Sequence, residues 1–189
     1  MPENDIQNLQ RYFESIADTK IIAISKLFTE MISNLGSPPS NNVFTEKQTF
    51  NGSATNEAVA LKNTTELVNI VTETPGATID FYVASGSVQY YTNNAGSDWT
   101  LNIAFSESTS LDTAMSIGDS ITITLLTTQG STAYYESELT IDGISVAPNW
   151  LGGPAPTSGN ASGIDVYTYT IIKTASSAYT VLASQTRAK

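Results

Sequence analysis

Tyr134, Glu136 and Glu138 stand at alternate positions of a stretch that reads as a β-strand, and they are the nearest the chain comes to a set of groups for acid-base or sugar chemistry. Alternate residues of a strand share a face. With Tyr135, Leu139 and Ile141 turned towards a core, Tyr134, Glu136, Glu138 and Thr140 are expected to point outward. An outward aromatic beside two carboxylates could hold a host surface glycan or touch a neighbouring subunit. Hydrolysis of a glycosidic bond needs two carboxyls on opposite sides of it, and neighbours on one face of one strand do not supply that. No catalytic residue is assigned, and the chain is not expected to be an enzyme.

Trp150 is the second candidate. It sits in a segment from Pro148 to Gly163 that is dominated by Gly, Pro, Ser and Asn and shows no hydrophobic period. Long loops of this kind often contact a ligand or partner, so Trp150 is read either as part of such a contact or as a plug at the end of a sandwich. Trp99 is in phase with Leu101 and Ile103 and belongs to the core.

Other chemistries are closed off by composition. The 189 residues include no Cys and no His, which removes disulfides, thiolate nucleophiles, Cys/His zinc sites and Ser-His-Asp machinery. The turn Asn93–Asp98 offers oxygen ligands but lacks the repeated Asp spacing and distal Glu of a calcium loop. No metal and no cofactor are expected. The net charge is −10, and no Lys or Arg occurs between Asn63 and Ile172. Nucleic-acid binding depends on clustered cations, so the chain is expected to bind neither nucleic acid nor an anionic membrane. The start Met-Pro-Glu-Asn-Asp has no basic leader region, and no apolar run is long enough to span a bilayer. Synthesis in a cytoplasm is the corresponding expectation.

Two kinds of element must position these residues. From Pro2 to Leu35 the apolar residues Ile6, Leu9, Phe13, Ile16, Ile24, Leu27, Met31 and Leu35 recur at helical spacing, with Lys20 filling the one gap. Their period is close to that of an undistorted helix, so a self-associating stalk would be nearly straight. Such a stripe must be covered, either by copies of itself in a parallel bundle or by docking on the β-domain or another protein. Gly36-Ser37-Pro38-Pro39 ends the pattern.

Beyond Val43 the period becomes two. Trp99-Leu101-Ile103-Phe105, Ile79-Phe81-Val83 and Ile121-Ile123-Leu125 each read as half-buried strands, with further candidates at 44–50, 58–61, 67–72, 87–92, 134–141, 144–147, 166–173 and 179–184. Asp142-Gly143 marks a two-residue hairpin. Leu111–Met115 reads as a short helical turn capped by Thr109 or Ser110. The expected fold is therefore mainly β: an amphipathic helix over residues 1–36, a linker over 37–47, and an antiparallel, jelly-roll-like β-sandwich over 48–189.

Four segments also carry a resemblance. Thr74-Pro75-Gly76-Ala77-Thr78-Ile79-Asp80-Phe81-Tyr82-Val83, Thr128-Gln129-Gly130-Ser131-Thr132-Ala133-Tyr134-Tyr135, Trp150-Leu151-Gly152-Gly153-Pro154-Ala155-Pro156 and the ending Ile164 to Lys173 with Tyr179 to Gln185 resemble a β-domain of structural, tail-fibre-like virion proteins in marine tailed phages of the cyanophage type. The resemblance covers roughly residues 64–189 and not the helix. It implies a virion component and brings no catalytic residues. The resulting expectation is a non-enzymatic bacteriophage virion protein, homo-oligomeric and by preference trimeric, anchored by its helix to itself or to other virion proteins with the β-domain outward. A capsid decoration or cement protein, and a receptor- or glycan-binding adhesion module, are the alternatives.

Overall fold

The computed structural model describes residues 3–34, 47–50 and 52–189. The chain divides into two compact units, Met1–Lys62 and Asn63–Lys189. In the first, the helix α1 runs over Glu3–Asn34. The helical spacing of apolar residues accounts for it, and acidic Glu3 and Asp5 suit its positive N-terminal end. Taken in the single chain, Leu9, Phe13, Ile24 and Leu27 are exposed and Ile16 is half-buried. The side chains of Ile6 and Met31, the residue Leu35 and the expected helix stop at Gly36–Pro39 lie outside what the structure describes, as do most of the expected linker and the first half of the candidate strand at 44–50. Residues 47–50 and 58–61 are not strands. Alternation alone does not make a strand, which also needs a ladder with a partner.

The second unit holds all the described strands: β1 (Val68–Val71), β2 (Thr78–Tyr82), β3 (Val88–Asn94) and β4 (Trp99–Ala104). After the short helix α2 (Leu111–Ala114) come β5 (Ser120–Thr128), β6 (Glu136–Ile141), β7 (Ile144–Ser145), β8 (Asn149–Trp150), β9 (Ile164–Ala175) and β10 (Ala178–Ala188). They form two sheets, one ordered β1-β3-β5-β9-β10-β8 and the other β2-β4-β6-β7.

The pairing corrects the antiparallel expectation. Strands β1 to β6 alternate between the sheets, and each runs parallel to its neighbour two strands earlier: Val68 faces Val88, Thr78 faces Thr100, Val88 faces Thr124 and Leu101 faces Leu139. Parallel neighbours need a crossover, and here a strand of the opposite sheet supplies it. The chain therefore coils through both sheets before β9 and β10 close the larger sheet as antiparallel partners of β5 and of each other. β6 and β7 form the other antiparallel pair. The unit is mainly β with two mixed sheets, and this strand order does not bear out a jelly roll.

Inward residues from both sheets meet in one cluster containing Ile79, Phe81, Trp99, Leu101, Ile103, Ile123, Leu125, Leu139, Tyr167, Tyr169 and Ile171. Trp99 meets Tyr167 edge-on at 5.8 Å between ring centres. The inward stripe of β9 starts with buried Asp165 and ends with buried Lys173. Lys173 forms a 2.8 Å ion pair with Asp112 and donates to the carbonyls of Asp112 and Met115, placing its cation at the C-terminal end of α2.

The other end of α2 is held from the β6–β7 turn. Asp142 and Gly143 both take positive φ, 51° and 78°, as the sharp turn requires. Asp142 is thereby aimed at α2, accepting from the N–H groups of Leu111 at 2.7 Å and Asp112 at 3.0 Å, while Ser110 Oγ accepts from Thr113. Asp142→Ala should cost about 1–2 kcal/mol, the usual loss for a helix cap, and Asp142→Asn should cost less because it tolerates the same φ and keeps one acceptor. Urea unfolding of both variants checks this; equal midpoints for the two would show that the carboxylate does not hold α2.

Candidate functional site

A bulge decides where the two glutamates point. Between β4 and β6, Trp99 pairs with Glu136 and Thr100 with Glu138, so Ser137 is an extra residue on β6. The extra residue breaks the period of two. Glu136 turns inward and is 5% exposed, while Glu138 stays outside and Leu139 and Ile141 face the core. The expected outward stripe is corrected accordingly. Tyr134 is also not a free outward aromatic: it is half-buried against the core, and Gln129 clamps its main chain from both sides, accepting from its N–H and donating to its carbonyl, each at 2.9 Å.

Glu136 sits in a buried polar group built by β9 and β10. The Tyr169 hydroxyl donates to Glu136 Oε2, and the Glu136 N–H donates to the Tyr167 hydroxyl at 3.3 Å. Gln185 donates to the same Tyr167 oxygen at 3.0 Å and to Asp165 at 3.1 Å. Burial pushes the Glu136 carboxyl up to about 8, so it holds its proton near neutrality. Burial also raises the Asp165 carboxyl, against the lowering effect of the Asn160 N–H and the Arg187 charge. None of Asp165, Gln129, Gln185 or Lys173 stood out as functional in the sequence. The signal available was a charged residue at each end of an alternating apolar stripe.

Trp150 lies on a strand and not in a long loop. β8 pairs in parallel with β10, Ala183 opposite Trp150, and the indole packs half-buried against Tyr169 at 6.4 Å. The loop that follows is tied down: Leu151 N–H donates to Ala183, Asn160 N–H to Asp165, and Arg187 to Ser158. Within it, a Cβ on Gly159 would stand 2.1 Å from the Tyr134 carbonyl oxygen, so only glycine permits that approach.

These elements enclose a cleft of about 470 Å³ lined by Glu136 and Glu138 of β6, Tyr135, and Trp150 with Pro148 and Pro156. Three of the four residues expected at a ligand or subunit contact, Trp150, Glu136 and Glu138, converge on it. Tyr134 does not line it. Glu136 and Glu138 rise from one strand and Glu136 is engaged by Tyr169, an arrangement suited to binding and not to two carboxyls facing across a bond. Among the described residues no group of three or more acidic, His or Cys side chains could hold a metal ion, and no helix is long and apolar enough to cross a membrane. No protein-family model, curated protein or solved structure matches the chain.

Proposed function

We propose that the protein is a non-enzymatic bacteriophage virion component, a homotrimer whose N-terminal helices bundle or dock on the particle while the β-unit, read as a sandwich, faces outward. The observation that carries this reading is the helix. Leu9, Phe13, Ile24 and Leu27 form an exposed apolar stripe, and side chains of this kind are worth roughly 1.5–3 kcal/mol each when buried. The absence of Cys, which frees a particle protein from redox state, and the acidic Ser/Thr/Asn-rich character agree with an exposed virion protein. The segment resemblance noted in the sequence supplies the phage context. An adhesion module is the second reading, favoured by the Trp150 cleft.

Light scattering of the purified chain should give about three times the 20.2 kDa chain mass at micromolar concentration. Ile16→Asp with Leu27→Asp should return it to monomer with the β-unit still folded by circular dichroism, and should abolish incorporation into particles. A monomeric parent chain would sink the bundle, and normal incorporation of the double variant would sink the helix as anchor.

A further inference from the structure

The cleft beside Trp150 is used by neither the helix nor the assembly reading, and its dimensions are those of a ligand site. Its volume of about 470 Å³ lies in the range of roughly 300–1,000 Å³ usual for small-molecule pockets. That leaves room for a pyranose ring and a neighbour.

The lining selects the ligand. β6 contributes Glu136 and Glu138, Tyr135 just precedes it, and the 148–156 segment contributes Pro148, Trp150 and Pro156. No Lys or Arg is present, and the chain carries a net charge of −10, so an anionic ligand is repelled. A simple cation would satisfy Glu138 and leave the indole and prolines wet. A neutral sugar uses both halves: the C–H face of the ring lies on apolar, aromatic surface, and its hydroxyls donate to carboxyl oxygens.

The site is also built in advance. Tyr169 donates to Glu136 and meets the Trp150 ring edge-on, so one core side chain positions both halves of the lining. Fixed groups lose little freedom on binding. We infer that this cleft is a saccharide-binding site in which Trp150 is the stacking platform and exposed Glu138 accepts the sugar's hydroxyls, while buried Glu136, held by Tyr169, backs the wall. The inference rests on the adhesion-module reading, which it deepens by naming a ligand class, and it is independent of the helix-borne trimer, so the two fail separately.

The chain has two tryptophans, and Trp99 is fully buried and out of a ligand's reach, so a sugar-dependent change in emission reports on Trp150. The full-length protein is titrated with cellobiose, maltose and lactose up to about 100 mM. At least one sugar should give a saturable change with Kd on the order of 1–10 mM. Trp150→Ala should abolish it, and Glu138→Ala, at an exposed position that leaves the fold intact, should weaken it at least fivefold by calorimetry. If Trp150→Ala does not fold, Glu138→Ala carries the test alone. Absence of saturable binding by all three sugars, an unchanged Kd in Glu138→Ala, or equally tight binding of spermidine would overturn the inference.

Discussion

Trp99→Ala should unfold the β-unit or come close to it. The indole is fully buried, lies edge-on to Tyr167, and sits where β4 meets the bulge of β6. Removing a side chain of this size from a closed core costs roughly 3–5 kcal/mol, a large share of the ~5–15 kcal/mol that stabilises a whole domain. Trp150→Ala should cost less, about 1–2 kcal/mol, because its ring is only half-buried and contacts the core from the sheet edge through Tyr169. Trp99→Phe separates volume from position and should fall between the two. Urea midpoints and slopes on all three variants decide the matter. Trp150→Ala as destabilising as Trp99→Ala would make Trp150 a core residue and remove it from any surface role.

Trp99 also shows which part of the fold was legible. Its alternation with Leu101 and Ile103 predicts strand and burial together, because one side chain in two must leave water whatever the neighbouring strand does. The same holds for Ile79 with Phe81 and Ile123 with Leu125, all of them in the core. Asp142-Gly143 was legible because few dipeptides adopt two positive φ angles in succession, and the turn at Leu111 because Ser110 and Asp112 occupy the capping positions.

Strand direction was not legible. A half-buried strand has the same pattern beside a parallel or an antiparallel partner, and the rule that half-buried sheets are antiparallel fails where the crossover is itself a strand of the facing sheet. The direction of Glu136 was illegible for a related reason. One extra residue at Ser137 is set by the pairing of β6 with β4, and nothing local to Glu-Ser-Glu announces it. Trp150 reads as loop because Asn149-Trp150 is too short to show a period; only Leu182 and Ala183 across the sheet make it a strand.

The inward turn of Glu136 gives the second large effect, a loss of stability as pH rises. In the unfolded chain its carboxyl titrates near 4.5, and in the folded protein burial raises this to about 8. A raised carboxyl favours folding most when protonated. The contribution is therefore complete below about pH 4.5, is lost progressively as pH climbs towards 8, and is constant above that. Spread over this window the loss is on the order of 5 kcal/mol, a fall in melting midpoint of about 10 °C or more for a unit of this size.

Glu136→Gln isolates the effect. The amide keeps an oxygen for the Tyr169 hydroxyl and cannot ionise. Asp165, whose carboxyl burial also raises, is unchanged in the variant, so its titration largely cancels in the difference, and Tyr167, pushed up by burial, stays protonated over this range. Stability curves measured from pH 5 to pH 9 should lie close together at the acid end and separate towards the alkaline end, the variant becoming increasingly the more stable protein until about pH 8. Parallel curves would mean that Glu136 stays charged or finds water in the folded state, and the bulge would then be aiming it into the cleft instead of under Tyr169.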